Sequence, residues 1–493
     1  MKRLRFTPLY IFIISCLLFS VCGLSEAGED VLYLSLEDAL AIAVINNFDI
    51  QLASYDRAIE ETRLDDAFSI YDTTLEVSAE YGHDEIEQSS VFAGKVSEDY
   101  EVGLSASKKL ATGTDAEVEY IFKRNRTDSS YVELNPYESS ELKFTFTQPL
   151  MRNILGINDA GDIKTVRIEV DNFRSETLDG IEGNIADVEC AYWELALKRG
   201  LLDIRRRMYE RAKEFYEIVE ENEKIGSAEL TDLYAAKANL KLRGSELIVE
   251  ESKVRAAENT LKLLMNNKET YLREGIFPTG TVDISGGDIG LARAMKTAFD
   301  NRRDYRRAMG DIESKEITLK MKRNETWPQL DLEGSFKMNA IGRSMGGSFS
   351  DMLKEDNAEY FAGMTFSFPL EAREATSAYD KAKLEKAKAL LNLKKTEKTI
   401  AADIDTKVRM VNALREKAGE LLEVSELQRY KMREETTKYR YGRSDSDRII
   451  RFQEDYLNAE IAKNTAALDY MEALIELYLA QNIYLNERNL SAP

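Results

Sequence analysis

The chain is poor in the residues from which most active sites are built. Its 493 residues include a single histidine, His83, and three cysteines, at 16, 22 and 190. That leaves almost nothing for a zinc site or a histidine-dependent triad. Prolines number seven, and none falls from 150 to 277 or from 370 to 492. Proline breaks helix interiors, so stretches of that length without one permit very long helices. Basic residues are in deficit: 67 Lys+Arg against 88 Asp+Glu give a formal charge of −21. Phosphate contacts need clustered cations, so a nucleic-acid binder is excluded. With 31% of residues charged, a helical membrane protein is excluded too, whereas 43% hydrophobic residues are ample for a core. Enzyme chemistry has no constellation to rest on, and neither a cofactor nor a metal is expected.

The amino terminus is expected to be removed. Lys2, Arg3 and Arg5 precede an apolar stretch from Leu9 to Val21, and Ser25-Glu26-Ala27 offers a small-x-small cleavage site. Such a segment reads as a secretory signal peptide over 1–27, too short for a bilayer anchor. Ile13-Ile14-Ser15-Cys16 loosely resembles a lipobox, but Cys16 lies within the apolar stretch and Cys22 follows Val21, not a small residue. After cleavage one cysteine, Cys190, remains, which rules out an internal disulfide. Beyond the leader no second apolar run reaches the roughly 18 residues of a membrane helix, so membrane entry would require a β-barrel.

The remainder is written twice. Leu36, Ala39, Leu40, Ala43, Asn46 and Asp49 align with Leu291, Ala294, Met295, Ala298, Asn301 and Asp304, and Leu75-Glu76-Val77 with Leu330-Asp331-Leu332. Phe144 to Leu150 aligns with Met364 to Leu370, and Gly226 with Gly442. The repeats are expected at 28–277 and 278–490. Each reads as an opening helix, strands, a long helix, a turn and a return helix. The helices are expected at 36–68, about 158–225 and to 266, then at 288–325, 371–441 and 445–486. Leu201, Ile204, Met208, Ala212, Phe215 and Val219 keep the alternating three-and-four spacing of a coiled-coil seam. A helix of some 68 residues is roughly 100 Å long, so the object is a rod in which opening and return helices stack end to end along the long one.

The β segments, about 70–150 and 328–370, alternate cleanly. Leu142, Phe144 and Phe146 oppose Lys143, Thr145 and Thr147, while Met364, Phe366 and Phe368 oppose Thr365 and Ser367. The first repeat carries an extra candidate hairpin, about 98–125, with Val102, Leu104 and Ala106 before a turn and Ala116, Val118, Tyr120 and Phe122 after it. Strands apolar on one face and polar on the other suit a water-filled transmembrane barrel. Four strands cannot close one of useful width, so several protomers must share it. Tyr71, Tyr81, Tyr137 and Tyr360 are candidates for interfacial girdles.

In sum, Leu36-Glu37-Asp38-Ala39-Leu40 with Asn46-Asn47, the exits Gln148-Pro149-Leu150 and Phe368-Pro369-Leu370, Ala191-Tyr192-Trp193-Glu194-Leu195-Ala196, and Gly442-Arg443-Ser444-Asp445 followed by Gln453 and Ala459 occur in order. The ordered set resembles the TolC-like outer membrane factor family over essentially the whole processed chain. The resemblance implies an α+β fold, mostly α. Duplicated helical hairpins would form a periplasmic α-barrel, and strands from three protomers would form one transmembrane β-barrel in the outer-membrane lipid. It further implies a homotrimeric exit duct that works passively. The duct would dock a periplasmic adaptor through its helix-turn tips, and an inner-membrane transporter of a tripartite efflux pump or type I secretion system would drive it. The alternative is a soluble periplasmic coiled-coil scaffold or adaptor. Family members carry four strands per protomer; the inserted hairpin either raises that to six or lies outside the membrane as a loop.

Candidate adaptor contacts are Gly226, Ser227 and Asp232 at the first tip and Gly442, Arg443, Ser444 and Asp445 at the second. Helix capping alone also accounts for such residues there. Asp447, Arg448 and Arg451 are candidates for a pore constriction. Many relatives place acids after the second tip glycine, whereas this chain has arginines, so no aspartate gate is carried over. Asp445-x-Asp447 is too sparse for a metal. Gly342, Gly346 and Gly347 lie in a strand connection without a phosphate-binding motif.

Overall fold

The computed structural model describes residues 31–491 apart from 86, 88–91, 93, 269–274, 285, 355–356 and 442. The expected leader lies outside the described residues. In chain order the elements are β1 (Val31–Leu34), α1 (Leu36–Asn46), α2 (Phe48–Phe68), β2 (Thr73–Asp84), β3 (Ser97–Lys109), β4 (Asp115–Thr127) and β5 (Tyr137–Pro149). Then come α3 (Ile157–Lys224), α4 (Leu230–Met265), β6 (Gly275–Pro278), α5 (Leu291–Asn301), α6 (Arg303–Glu325), β7 (Gln329–Gly342), α7 (Met345–Met352) and β8 (Ala358–Ser367). The chain ends with α8 (Arg373–Arg440), α9 (Ser446–Ala480) and α10 (Tyr484–Glu487).

Both long helices, α3 and α8, are 68 residues and uninterrupted, as the missing prolines require. The coiled-coil seam is where the spacing put it: Ile204, Met208, Ala212, Phe215 and Val219 are all buried. The opening helices differ from expectation, because each is broken once. Asn47 leaves the helical region (φ −62°, ψ 130°) and its side-chain oxygen caps the N–H groups of Asp49 and Ile50. Its amide also donates to the Leu264 carbonyl (2.8 Å), while Asn266 donates to Asn46 (2.8 Å). This reciprocal pair ties the start of α2 to the end of α4. The second repeat breaks at the equivalent Arg302 (ψ 123°), whose guanidinium reaches the Ala480 carbonyl (3.1 Å) and Asp403 (2.9 Å). The Asn482 side chain accepts from the Arg303 N–H (3.0 Å). Hence only α2 and α6, of 21 and 23 residues, continue the return helices α4 and α9 along the rod. The short α1 and α5 turn aside at the breaks.

The largest core lies at this level. Ile181, Ile185, Tyr192 and Leu195 of α3 pack with Ile400, Ile404 and Val408 of α8, with Ile475 and Leu477 of α9, and with Ala39, Leu40 and Ala43 of α1. The parallel pair β1–β6 joins it: the Leu34 carbonyl accepts from the Tyr192 hydroxyl (3.0 Å). Trp193, 5% exposed, donates to Glu189 (3.1 Å) as a core residue. Cys190 is free, and burial, followed by Glu472 and Glu189, pushes its thiol up to about 12.

At the other end of α2 and α3 the strands form one six-stranded antiparallel sheet in the order β2-β3-β4-β5-β7-β8. The inserted hairpin is not a loop. It supplies most of β3 and β4, with Leu104 opposite Tyr120 and Ala106 opposite Val118. Its turn approaches the start of α3 so closely that a side chain on Gly113 (φ +74°) would lie 2.9 Å from the Gly156 nitrogen. The connection carrying Gly346 and Gly347 holds a helix, α7.

Candidate functional site

At the first tip α3 ends in a glycine turn. Gly226 takes φ +76°, a conformation strained for any other residue, and its N–H donates to Glu223 (2.9 Å). The N–H and hydroxyl of Ser227 both donate to the Asn222 carbonyl (2.8 and 3.1 Å). Asp232 accepts from the Glu229 N–H (3.3 Å) and completes a capping box on α4.

The second tip is held by a carboxylate that sequence reasoning did not single out. Glu435 has a side chain 5% exposed and accepts from the Ser444 hydroxyl (2.7 Å). Lys438 lies 3.3 Å and Arg448 3.5 Å from the same carboxylate. The Ser444 hydrogen bond, helped by Lys438 and Arg448 against burial, holds Glu435 below the usual carboxylate range. Arg443 donates its N–H to Lys438 (2.9 Å), and Asp445 caps α9 through the Arg448 N–H (2.7 Å). Gly442 lies outside the described residues. Asp447, Arg448 and Arg451 are exposed on the first turns of α9, and Arg448 also stands 3.9 Å from Asp445. The signal for Glu435 was its place on the buried seam of α8, three residues after the buried Met432.

The two tips share one end of the rod. Phe215 and Val219 of α3, Ala236 of α4 and Ile449 of α9 form a small buried cluster. Phe215 and Tyr439 lie ring to ring at 5.2 Å, and the Tyr439 and Ser446 hydroxyls are 3.2 Å apart. The two tips thus stand at one end of the rod, although they come from opposite halves of the sequence and each described adaptor-contact candidate bonds within its own tip.

At the opposite end the sheet is two-faced in strict register. One row of neighbours reads Leu75, Ala106, Val118, Phe144, Phe336 and Tyr360, and the next Val77, Leu104, Tyr120, Leu142, Met338 and Ala358. The other face carries Glu76, Ser105, Glu119, Lys143, Lys337 and Glu359 in one row. Glu80, Asp99, Glu101, Glu117, Glu141 and Glu333 lie on this polar face as well, and acids outnumber its lysines. Of the candidate girdle residues, Tyr81 stands with Tyr100 (4.8 Å) at the rim away from the helices, on the apolar face. Tyr360 sits in the middle of that face, and Tyr137, opposite Asn125, is on the polar one. Among the described residues no group of three His, Cys, Asp or Glu side chains could hold a metal ion, and no helix is long and apolar enough to cross a membrane.

No protein-family pattern and no curated protein sequence matches the chain. Solved structures do. The Campylobacter jejuni CmeC outer membrane channel superposes with a TM-score of 0.66 at 16% identity, covering 92% of this chain and 90% of that one. The open-state MtrE outer membrane channel of Neisseria gonorrhoeae gives 0.67 at 17%, covering 91% and 89%. The outer membrane protein VceC of Vibrio cholerae gives 0.66 at 14%, covering 90% and 95%. With the repeats, the two-faced sheet and the paired helix tips all in place, this chain has the fold of these outer-membrane channels.

Proposed function

We propose that three copies of the chain form an exit duct across the outer membrane, with one shared β-barrel and the helices projecting into the periplasm. The observation that carries this reading is the six-stranded sheet, which cannot close on itself yet, among the described residues, leaves both edges, β2 and β8, without a partner strand. β2 runs away from the helices and β8 towards them, so β8 of one copy and β2 of the next meet antiparallel, the ladder used throughout the sheet. Three sheets of six strands make a barrel of eighteen. That is wider than the twelve strands implied by the sequence resemblance. The apolar face meets lipid and the acidic face lines the lumen. Solved proteins with this fold are described as outer membrane channels, which supports the location and the transport role.

No residues of the duct perform catalysis in this reading. Transport is passive and driven by an inner-membrane partner, in efflux or in type I secretion, through an adaptor that binds at the joined tips. The soluble-scaffold alternative leaves the apolar rows of the sheet facing water, which is costly. The test is purification from the outer membrane followed by recording in a planar bilayer. Discrete conductance steps from a detergent-stable trimer are expected. A protein that fractionates as a soluble monomer without detergent sinks the proposal.

A further inference from the structure

The connection between β7 and β8 contains a feature that a water-exposed loop does not need. α7 folds back over the apolar face of the sheet near the rim away from the helices. Beneath it lies the next row of that face: Ala79, Val102, Phe122, Ser140 and Ala340. Ser140 is its polar member, and it is fully buried because α7 covers it. The Ser348 hydroxyl, also fully buried, lies 2.9 Å from that of Ser140, and the Tyr120 hydroxyl lies 3.2 Å away. Phe349 stands edge-on to Tyr120 (5.7 Å between centroids, 82° between planes), and Met352 is 1% exposed against the sheet. The approach is close: a side chain on Gly342 would lie 3.2 Å from the Ser348 nitrogen. Ser344 caps the helix start, so α7 is a formed element.

One flank of α7 is apolar and exposed: Met345 and Phe349, with Leu353 just past the helix end, recur at four-residue spacing and are 51%, 44% and 57% exposed, while the face turned from the sheet carries Gly346, Gly347, Ser350 and Asp351. Exposed Arg343 and Lys354 stand before and after them. A helix with an exposed apolar flank, lying on the apolar face of the sheet, with Arg343 before it, Lys354 after it and Asp351 on its last turn, matches the chemistry of the membrane interface.

We propose that α7 is an interfacial anchor seated in the outer leaflet. Ser348 withdraws the Ser140 hydroxyl from lipid, and Met345, Phe349 and Leu353 enter the acyl region just below the headgroups. Arg343 and Lys354 then meet anionic headgroup oxygens. The inference rests on the barrel reading, because it takes the apolar face as the lipid face.

Two single tryptophan variants test it in the full-length trimer, each read as the emission gained over the wild type. F144W places the probe in the middle of the apolar face, and F349W places it on the exposed flank of α7. Both sites are aromatic and exposed already, so folding is preserved. The probes are phosphatidylcholine vesicles brominated either near the headgroup or deep in the acyl chain, with aqueous iodide as the opposing quencher. F349W is expected to lose roughly half its added emission to the shallow bromines and to resist iodide, with F144W quenched more by the deep ones. F144W quenched by bromine while F349W responds only to iodide overturns the anchor and leaves the barrel standing. Neither probe quenched by bromine overturns the barrel, and the anchor with it.

Discussion

Glu189 of α3 is fully buried at the level of the helix breaks, where Arg488 clamps it with two hydrogen bonds (2.7 and 2.5 Å). Tyr484 adds a third (2.7 Å) and Trp193 a fourth (3.1 Å). Residues after α9 are thereby pinned to the middle of α3. Arg488→Ala strands a buried carboxylate, and a loss of about 3–5 kcal/mol is expected in detergent unfolding, against about 1 kcal/mol for Tyr484→Phe. Glu435 acts in the opposite regime, where pH is the lever. Its carboxyl is held below its ordinary value, foremost by Ser444. The tip therefore has this stabilisation in full above the unfolded carboxylate value, and loses it as the pH falls through the folded one. Amide exchange at the second tip, corrected for intrinsic rate, is expected to accelerate below about pH 4, and Ser444→Ala to move the onset to higher pH. Neither carboxylate was legible as a site in the sequence. Among 88 acidic residues they are two of a buried few, and burial is not written in the sequence.

The long elements were legible because their signals are redundant. Absent prolines, the seam of α3 and the alternation of the strands each point to the same element, and the ends of α3 and α8 fall within two residues of expectation. The breaks were not legible. Asn47 and Arg302 both tolerate helix, and what breaks it is tertiary: carbonyls at the ends of α4 and α9 that need a donor. Asn47→Ala removes the cap and leaves the Leu264 carbonyl without that donor, so a cost of about 1–2 kcal/mol is expected in thermal unfolding. α7 also escaped notice, because Gly346-Gly347 reads as a turn until the sheet beneath supplies a packing surface. On the polar face of the strands, Glu117, Glu119 and Glu141 cluster across β4 and β5. Changing all three to glutamine is expected to shift the reversal potential in a salt gradient towards non-selective, with conductance steps preserved. An unchanged reversal potential would assign ion preference to the tips, where Asp447, Arg448 and Arg451 are the candidates.

At the scale of the whole molecule, the repeats match closely in their long helices, 68 residues each, and differ in their strands. Four strands come from the first half and two from the second, arranged in a single ladder. The residues alone left open whether the extra hairpin joins that ladder, since alternation marks a strand without naming its neighbour. The register answers it: β3 and β4 each pair on both sides along nearly their full length. The edges of β2 and β8, unpaired among the described residues, carry a consequence for inheritance. If a barrel closes only when all three seams between β8 and β2 are sound, one damaged edge condemns its two companion copies. With an edge-strand proline variant such as Val77→Pro made in equal amount with the wild type, only about one ring in eight is free of it. Such an allele would behave as strongly dominant, whereas a null allele leaving half the normal copies would be nearly silent.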